Sequence, residues 1–567
     1  MARPFYLGLN MPGTVSAGAY TAGVIDFLIE AMDAWYAERD RQTQQFGSDY
    51  DKWTIPAHEL ELSVMAGASG GGITAALTAA ALNGEFAHVG KQKASENSST
   101  NSLFQSWVLN IDLGKLLGHA DLDASGSKVS SLLDSTPIRD IAAKAFTVQS
   151  PLASKRPWVK DGLRVILTLT NLRGVPYALE PQTDSDSARV LYHADRQDFI
   201  VPWSGSTIAP NTLLPNGGGA WPQLAQAAMA TSAFPVVLAP QKLSRSAAEY
   251  DTRTWSIVQA DPKCAGDGTC ICETNEPMPP TWDEASNAQF ETLNVDGGAT
   301  NNSPLDCARM ALASLDPPVA NGHNPREPKS ADRAVINIAP LAAEIPAKLP
   351  APIDDSLLSL PGAVINALLA QSRIQGENLK LSSDPKVASR WVISPTTEVQ
   401  GAEPLAGALM SGFGAFVSQM FREHDYQLGR RNCQRFLTAY FGVPWNNVVL
   451  QQQPLSKASQ DRVDAMYGFS SEADPQLRLC PLIPVMPALR PEIAVARAAL
   501  HRDQLSPLAD LAMDRTKLVV KALMSESGAS WFSETAFNAA WLFLKGKLRD
   551  KLLGYAGYEL SRHGFLD

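Results

Sequence analysis

Cysteine is scarce in this chain, six residues among 567, so no disulfide framework can hold a fold of this length together. Long apolar runs are missing too: no unbroken stretch reaches the roughly 20 residues that a membrane-crossing helix needs. Residues 1–10 enter strand-like sequence without a long apolar region or a cleavage site, which argues against a secretory signal and makes the cytoplasm the expected location. Positive charge is not in excess, since 48 Lys and Arg against 58 Asp and Glu leave a formal net charge of -10. A nucleic-acid backbone attracts a basic surface, so general nucleic-acid binding is excluded. Contact with an anionic lipid surface would need a local basic patch. The eight histidines, His58, His88, His119, His193, His323, His424, His501 and His563, stand in segments without an evident strand-end catalytic loop, although sequence distance alone excludes none of them. Internal repeats are absent.

What is present is ordinary globular material, 45% hydrophobic and 19% charged, in a chain long enough for two or more domains and a large core. The first half alternates strand-like and helix-like stretches. Strands are expected at 5–10, 60–66, 163–170, 190–193, 236–238 and 290–295, with 335–338 as the last strand of the core; helices are expected at 16–36, 73–82 and 221–230. That order predicts an α/β sheet. The Pro-rich run 339–352 reads as a linker, and the remainder reads as mainly helical apart from 391–394. The chain is therefore expected to divide into an α/β domain, residues 1–345, and a mainly helical region, residues 346–567, packed on or beside it.

Three of the cysteines, Cys264, Cys270 and Cys272, crowd into residues 261–272. A zinc site wants a fourth ligand and none is adjacent at the usual spacing, a redox pair is a second reading, and a plain surface loop is the third. Cys307, Cys433 and Cys480 are expected as small buried hydrophobes. Nothing in the sequence calls for a metal or a cofactor.

The most informative segment is Met65-Ala66-Gly67-Ala68-Ser69-Gly70-Gly71-Gly72. It follows a mostly apolar, strand-like run and precedes an Ala- and Leu-rich helix-forming stretch, which puts Ser69 on a strand-to-helix turn. Small residues at Gly67 and Gly71 allow the sharp bend of a nucleophile elbow, and the helix N-terminus behind Ser69 offers free N–H groups to an oxyanion. A glycine-rich turn of this kind also suits phosphate binding or close packing. A serine hydroxyl needs a base, and the carboxylate best placed to supply one is Asp296, which ends the strand-like run 290–295 and opens the turn Gly297-Gly298.

Gly67-Ala68-Ser69-Gly70-Gly71 taken with Asp296-Gly297-Gly298 resembles the serine–aspartate pair of the patatin-like phospholipases. Gly18-Ala19-Tyr20-Thr21-Ala22-Gly23 is similar to that family's first helix, and the small-residue stretch Ala227-Ala228-Met229-Ala230-Thr231 leading to Pro235 is similar to its helix between the two catalytic residues. Leu132-Leu133-Asp134 with Pro137-Ile138-Arg139 matches weakly. The resemblance spans roughly residues 5–310 and implies a three-layer α/β fold with a central, mostly parallel sheet. It also implies a lipid acyl hydrolase in which Ser69 attacks a carboxylic ester of a membrane lipid, Asp296 is the base, and an acyl-enzyme forms. The oxyanion donors implied are the N–H groups of Gly13, Thr14 and Gly70, with Gly67, Gly71, Gly297 and Gly298 supporting the turns.

The sequence departs from the family at the oxyanion loop, where three consecutive glycines and a basic residue are usual. Here Gly13-Thr14-Val15-Ser16-Ala17 keeps only the first glycine. A β-branched Val15 would be strained at positive φ, so the resemblance implies a rebuilt loop or weak activity. The competing reading is a patatin-like scaffold that binds a membrane or a protein partner without catalysis.

Three further stretches bear on partners. Residues 539–555 set Trp541, Leu544, Leu548 and Leu552 at helical spacing beside Lys545, Lys547, Arg549 and Lys551, which fits peripheral contact with an anionic membrane and, more readily, a terminal helix packed on the core. Arg430 and Arg431 lie in an ionisable cluster that fits either a phosphate headgroup or charge pairing between helices. The apolar run 357–369 suits core packing or an acyl-chain channel, and the polar run 95–102 is an exposed loop and a candidate lid.

Overall fold

The computed structural model describes residues 3–90, 100–123, 128–148, 150–179, 188–204, 209–260, 271–282, 288–319, 322–341, 367, 371–372, 381, 384, 386–396, 403–496, 498–528 and 531–567. Its centre is a sheet built from β1 (Phe5–Met11), β2 (Leu60–Gly67), β3 (Val159–Leu179), β4 (Ala188–Val201), β5 (Gln241–Ser246), β8 (Gln289–Asp296), β9 (Arg333–Ile338) and β10 (Arg390–Ile393). β6 (Thr254–Ala260) and β7 (Ile271–Pro277) form a separate hairpin. The strand order is β10-β9-β1-β2-β3-β8-β5, with β4 paired to β3. β10, β9, β1, β2 and β3 run parallel, while β4, β8 and β5 join by antiparallel pairings. β1 and β9 are buried along their whole length, as parallel strands covered on both faces must be.

Helices α1 (Gly18–Phe46), α2 (Ser69–Asn83), α3 (Thr136–Ala145), α4 (Trp221–Thr231) and α5 (Leu305–Ala313) come from the first half. α6 (Gln419–Ala439), α7 (Lys457–Tyr467), α8 (Leu505–Glu526) and α9 (Trp531–Arg562) come from the second. This is the α/β architecture with a helical C-terminal region that the sequence predicts. Among the described residues no helix is long and apolar enough to cross a membrane.

Two expectations need correction. Residues 236–238 form a turn, not a strand: Val236 takes φ 69°, outside the extended region, and the strand begins only at Gln241. The expected last strand, 335–338, is not the sheet's edge, because β10 pairs with it in parallel register, Arg390 beside Val335 and Ile393 beside Ile338. A short apolar β10 read alone gives no sign of where it pairs. One continuous core cluster includes residues from Phe5 to Ile493. Most of the Pro-rich run 339–352 and of the apolar run 357–369 lies outside the described residues, as do 95–99 of the polar run, Cys264 and Cys270. Cys272 lies in β7. Cys433 and Cys480 are buried as expected, whereas Cys307 is half-buried.

α6 crosses α1 at close range. A Cβ on Gly23 would lie 1.9 Å from the Tyr426 carbonyl oxygen, and one on Gly429 would lie 2.1 Å from that of Tyr20, so only glycine permits this approach. Into the crossing Arg430 places its guanidinium, 2.6 Å from both Asp26 and Glu30, and Tyr426 and His88 bond to the Asp26 carboxylate at 2.9 and 2.8 Å. Arg430 is 1% exposed, which rules out a headgroup role for it and leaves the charge-pairing reading. Removing one member of such a buried pair costs about 3–5 kcal/mol because the other charge stays stranded. Arg430→Met should therefore lower unfolding stability by that order in a denaturant titration, and adding Asp26→Asn should restore much of the loss.

Candidate active site

β2 ends at Gly67 and α2 begins at Ser69, so the turn between them occupies a single residue. Ser69 takes φ 53°, a left-handed conformation that costs a non-glycine residue on the order of 1 kcal/mol or more and projects its hydroxyl from the elbow. The turn is held by packing too tight for side chains: a Cβ on Gly71 would lie 2.0 Å from the Met11 carbonyl oxygen. The Ser69 N–H donates to Thr231 Oγ1 at the end of α4, at 2.9 Å. Gly67, Gly70 and Gly71 are buried with it.

β8 supplies the second residue. Its alternation turns Phe290, Thr292, Asn294 and Asp296 inward, and Asp296 stands at the strand end, 2% exposed. Ser69 Oγ donates to Asp296 Oδ2 at 2.5 Å, across 227 positions of sequence. The other carboxylate oxygen accepts the Gly298 N–H at 2.7 Å. Main-chain bonds fix the strand end: Asp296 N–H to Ala233 O at 2.8 Å, and Gly297 N–H to Thr231 O at 3.0 Å. Thr231 thus grips the elbow with its hydroxyl and the carboxylate turn with its carbonyl.

Burial pushes the Asp296 carboxyl up to about 7, partly opposed by the hydrogen bonds from Ser69 and Gly298. Among the described residues no cation and no histidine hydrogen-bonds to the pair. The histidines are engaged elsewhere: His58 faces the Leu482 carbonyl oxygen, His88 faces Asp26 and His193 faces the Asn171 carbonyl oxygen. A carboxylate whose pKa sits near 7 beside a hydroxyl is matched to general-base work at neutral pH.

The loop expected to bind the oxyanion passes directly over Ser69. Its N–H groups divide differently from expectation, because Gly13 N–H donates to Asn302 O at 2.8 Å and Gly70 N–H to Thr14 O at 3.2 Å. Both are spent inside the protein. The N–H groups of Thr14 and Val15 have no partner among the described residues, and neither residue has positive φ, so the strain expected at Val15 does not arise.

What replaces the family's glycines is a brace that sequence reasoning missed. Ser16 gives its N–H and its Oγ–H to the Gly412 carbonyl oxygen at 2.8 and 2.7 Å and accepts the Ala415 N–H at 3.0 Å. The bracing segment bends through three consecutive left-handed residues, Met410, Ser411 and Gly412. Asp425 of α6 holds its start by accepting the Ala406 and Gly407 N–H groups at 3.0 and 2.7 Å. No local motif signals a contact made across nearly 400 positions.

Residues 11–309 match the family model of the patatin-like phospholipases. The chain belongs to the patatin-like phospholipase family. A relative from Sinorhizobium fredii (strain NBRC 101917 / NGR234), described as uncharacterized protein y4iI, is 30% identical over 592 residues, covering 96% of this chain and 79% of the relative. Ser69, Asp296 and the loop 13–17 all lie inside the patatin-like span, whereas the bracing segment lies beyond it. The general chemistry of the patatin-like family is hydrolysis of lipid acyl esters.

The raised Asp296 carboxyl has a cost in stability. The folded state holds the proton more tightly than the unfolded chain, so its stabilising effect is complete below about pH 4 and is lost as pH rises through about 7. Asp296→Asn should match the wild type in thermal unfolding near pH 4 and exceed it at pH 8, by on the order of 2–4 kcal/mol.

Proposed function

We propose that this protein hydrolyses carboxylic esters of membrane lipids, in the manner of a phospholipase A or lysophospholipase, through Ser69 and Asp296. The observation that carries this reading is the 2.5 Å contact between a strained elbow serine and a buried carboxylate, with no histidine between them. Ionised Asp296 takes the Ser69 proton as Oγ bonds to the ester carbonyl carbon, and the carbonyl oxygen becomes an oxyanion. Thr14 and Val15 N–H are the donors we assign to it, in place of Gly13 and Gly70. Collapse of the tetrahedral adduct breaks the bond to the alcohol, which leaves with the proton from Asp296 and leaves the acyl group on Ser69. Water then attacks the acyl carbon, gives its proton to Asp296, and the fatty acid departs as the proton returns to Ser69. A positioned base contributes roughly 100- to 10,000-fold and an oxyanion donor a similar factor. We assign the reaction to the cytoplasmic side of a membrane.

An apolar pocket beside the elbow suits the acyl chain. It is a small recess between α2, α3 and α4, lined by Ile73, Trp107, Ile111, Ile141, Phe146 and Met229 among others. Ile73 lies one helical turn beyond Ser69, and Met229 two residues before Thr231.

Intact-mass analysis should find one fluorophosphonate adduct on the wild type and none on Ser69→Ala. Labelling of both, or of neither in folded protein, counts against the assignment. The rate of adduct formation should rise with pH and level off above about 7, as Asp296 ionises, and Asp296→Asn should slow it by at least about 100-fold. Filling the pocket with Ala228→Phe should lower turnover of long-chain esters far more than that of a short-chain p-nitrophenyl ester.

A further inference from the structure

α9 turns one face to the protein and a different one to solvent. Inward lie Trp541, Ala556 and Leu560, all buried, and two of the helix's basic residues are used there: Lys545 pairs with Asp514 at 3.0 Å and Arg549 with Asp510 at 2.6 Å on α8. For these residues the terminal-helix reading holds. Leu544, Lys547, Leu548, Lys551, Tyr555 and Tyr558 fall within about 100° of one another around the helix, on a single stripe. All are exposed, Leu544 by 49%, Leu548 by 41%, Tyr555 by 50% and Tyr558 by 60%. The stripe runs about 21 Å along the helix, and Lys547 and Lys551 have no carboxylate partner among the described residues.

The hairpin that carries this stripe is bolted to the segments around Gly118 and Leu132. Arg515 of α8 donates to the carbonyl oxygens of Leu132 and Gly118 at 3.0 and 2.9 Å and pairs with Asp121. Leu132 and Val236, joined by a main-chain bond of 2.9 Å, are themselves 49% and 65% exposed.

We infer that the outer face of α9 docks the protein on an anionic lipid bilayer, with Leu544, Leu548, Tyr555 and Tyr558 entering the interface and Lys547 and Lys551 meeting the headgroups. Interleaved leucines, tyrosines and unpaired lysines on a helix lying flat are the chemistry of an interfacial helix. Against a formal net charge of -10, Lys547 and Lys551, exposed and without a carboxylate partner among the described residues, give this face a local positive charge complementary to anionic lipid. The inference extends the lipid-hydrolase reading and takes its purpose from it, but its test does not need catalysis.

Full-length Ser69→Ala protein is mixed with phosphatidylcholine vesicles, with and without phosphatidylglycerol, and binding is read by flotation. Binding is expected only with the anionic lipid and should weaken as salt rises. Lys547→Glu/Lys551→Glu should reduce it by roughly tenfold or more, since each lysine near such a surface is worth about a fivefold gain. Leu548→Ser/Tyr555→Ser should reduce it at every salt concentration, with thermal unfolding unchanged in both variants. Absence of binding by the parent protein, or equal binding by both variants, overturns the inference. So does a dimer that the same substitutions split, which would make the face a contact between two copies. Failure of the catalytic reading shows separately, as wild-type protein that leaves a short-chain p-nitrophenyl ester uncleaved.

Discussion

A carboxylate sealed beside a hydroxyl, with no cation to neutralise it, is the condition around which this molecule is arranged. The chain buries other acids differently. Asp26 faces Arg430, and Asp195 faces Arg245 and Arg253; both carboxyls are held below their ordinary value by the guanidinium beside them. Asp425 lies between these cases, raised by burial with His424 and two main-chain N–H groups beside it. Of these four, Asp296 alone faces a hydroxyl as its sole side-chain partner. Burial without neutralisation is unfavourable to folding and favourable to proton transfer, and the surrounding core offsets that cost.

That arrangement explains why both halves of the chain converge on one short loop. Residues 13–17 lie between the elbow, the Asn302 carbonyl and the 405–417 segment. Three glycines would let such a loop choose its own path; here Thr14 and Val15 restrict it, and partners from distant parts of the chain supply the path instead. The Thr14 carbonyl caps Gly70 N–H, and the N–H groups of Thr14 and Val15 have no hydrogen-bond partner among the described residues. Conformation has been moved from local backbone freedom to tertiary packing.

The elements of the candidate site were legible because their signals are local. A serine between glycines at a strand-to-helix junction marks Ser69, and an aspartate closing an alternating strand before two glycines marks Asp296. Helices α1, α2 and α4 and strands β1, β2 and β8 follow from period and composition in the same way. What was not legible depends on distance. Arg430 reads equally as a headgroup ligand or a paired cation until Asp26 is found opposite it, Ser16 reads as an ordinary helix-start residue until Gly412 reaches it, and Gly13 and Gly70 read as donors until their acceptors appear. Val236 misled for another reason: apolar, β-branched sequence imitates a strand where a tight turn stands.

The pairing of β10 with β9 sets what can be cut from this protein. β9 is apolar along most of its length and buried throughout, so its outer edge is safe only while covered. A fragment ending near residue 345 would keep Ser69 and Asp296, yet it would expose a row of unpaired N–H and C=O groups on an apolar strand, a template for pairing with the next chain. It would also lose the Gly412 carbonyl that Ser16 holds. A fragment cut at that point is thus unsuited to life in isolation.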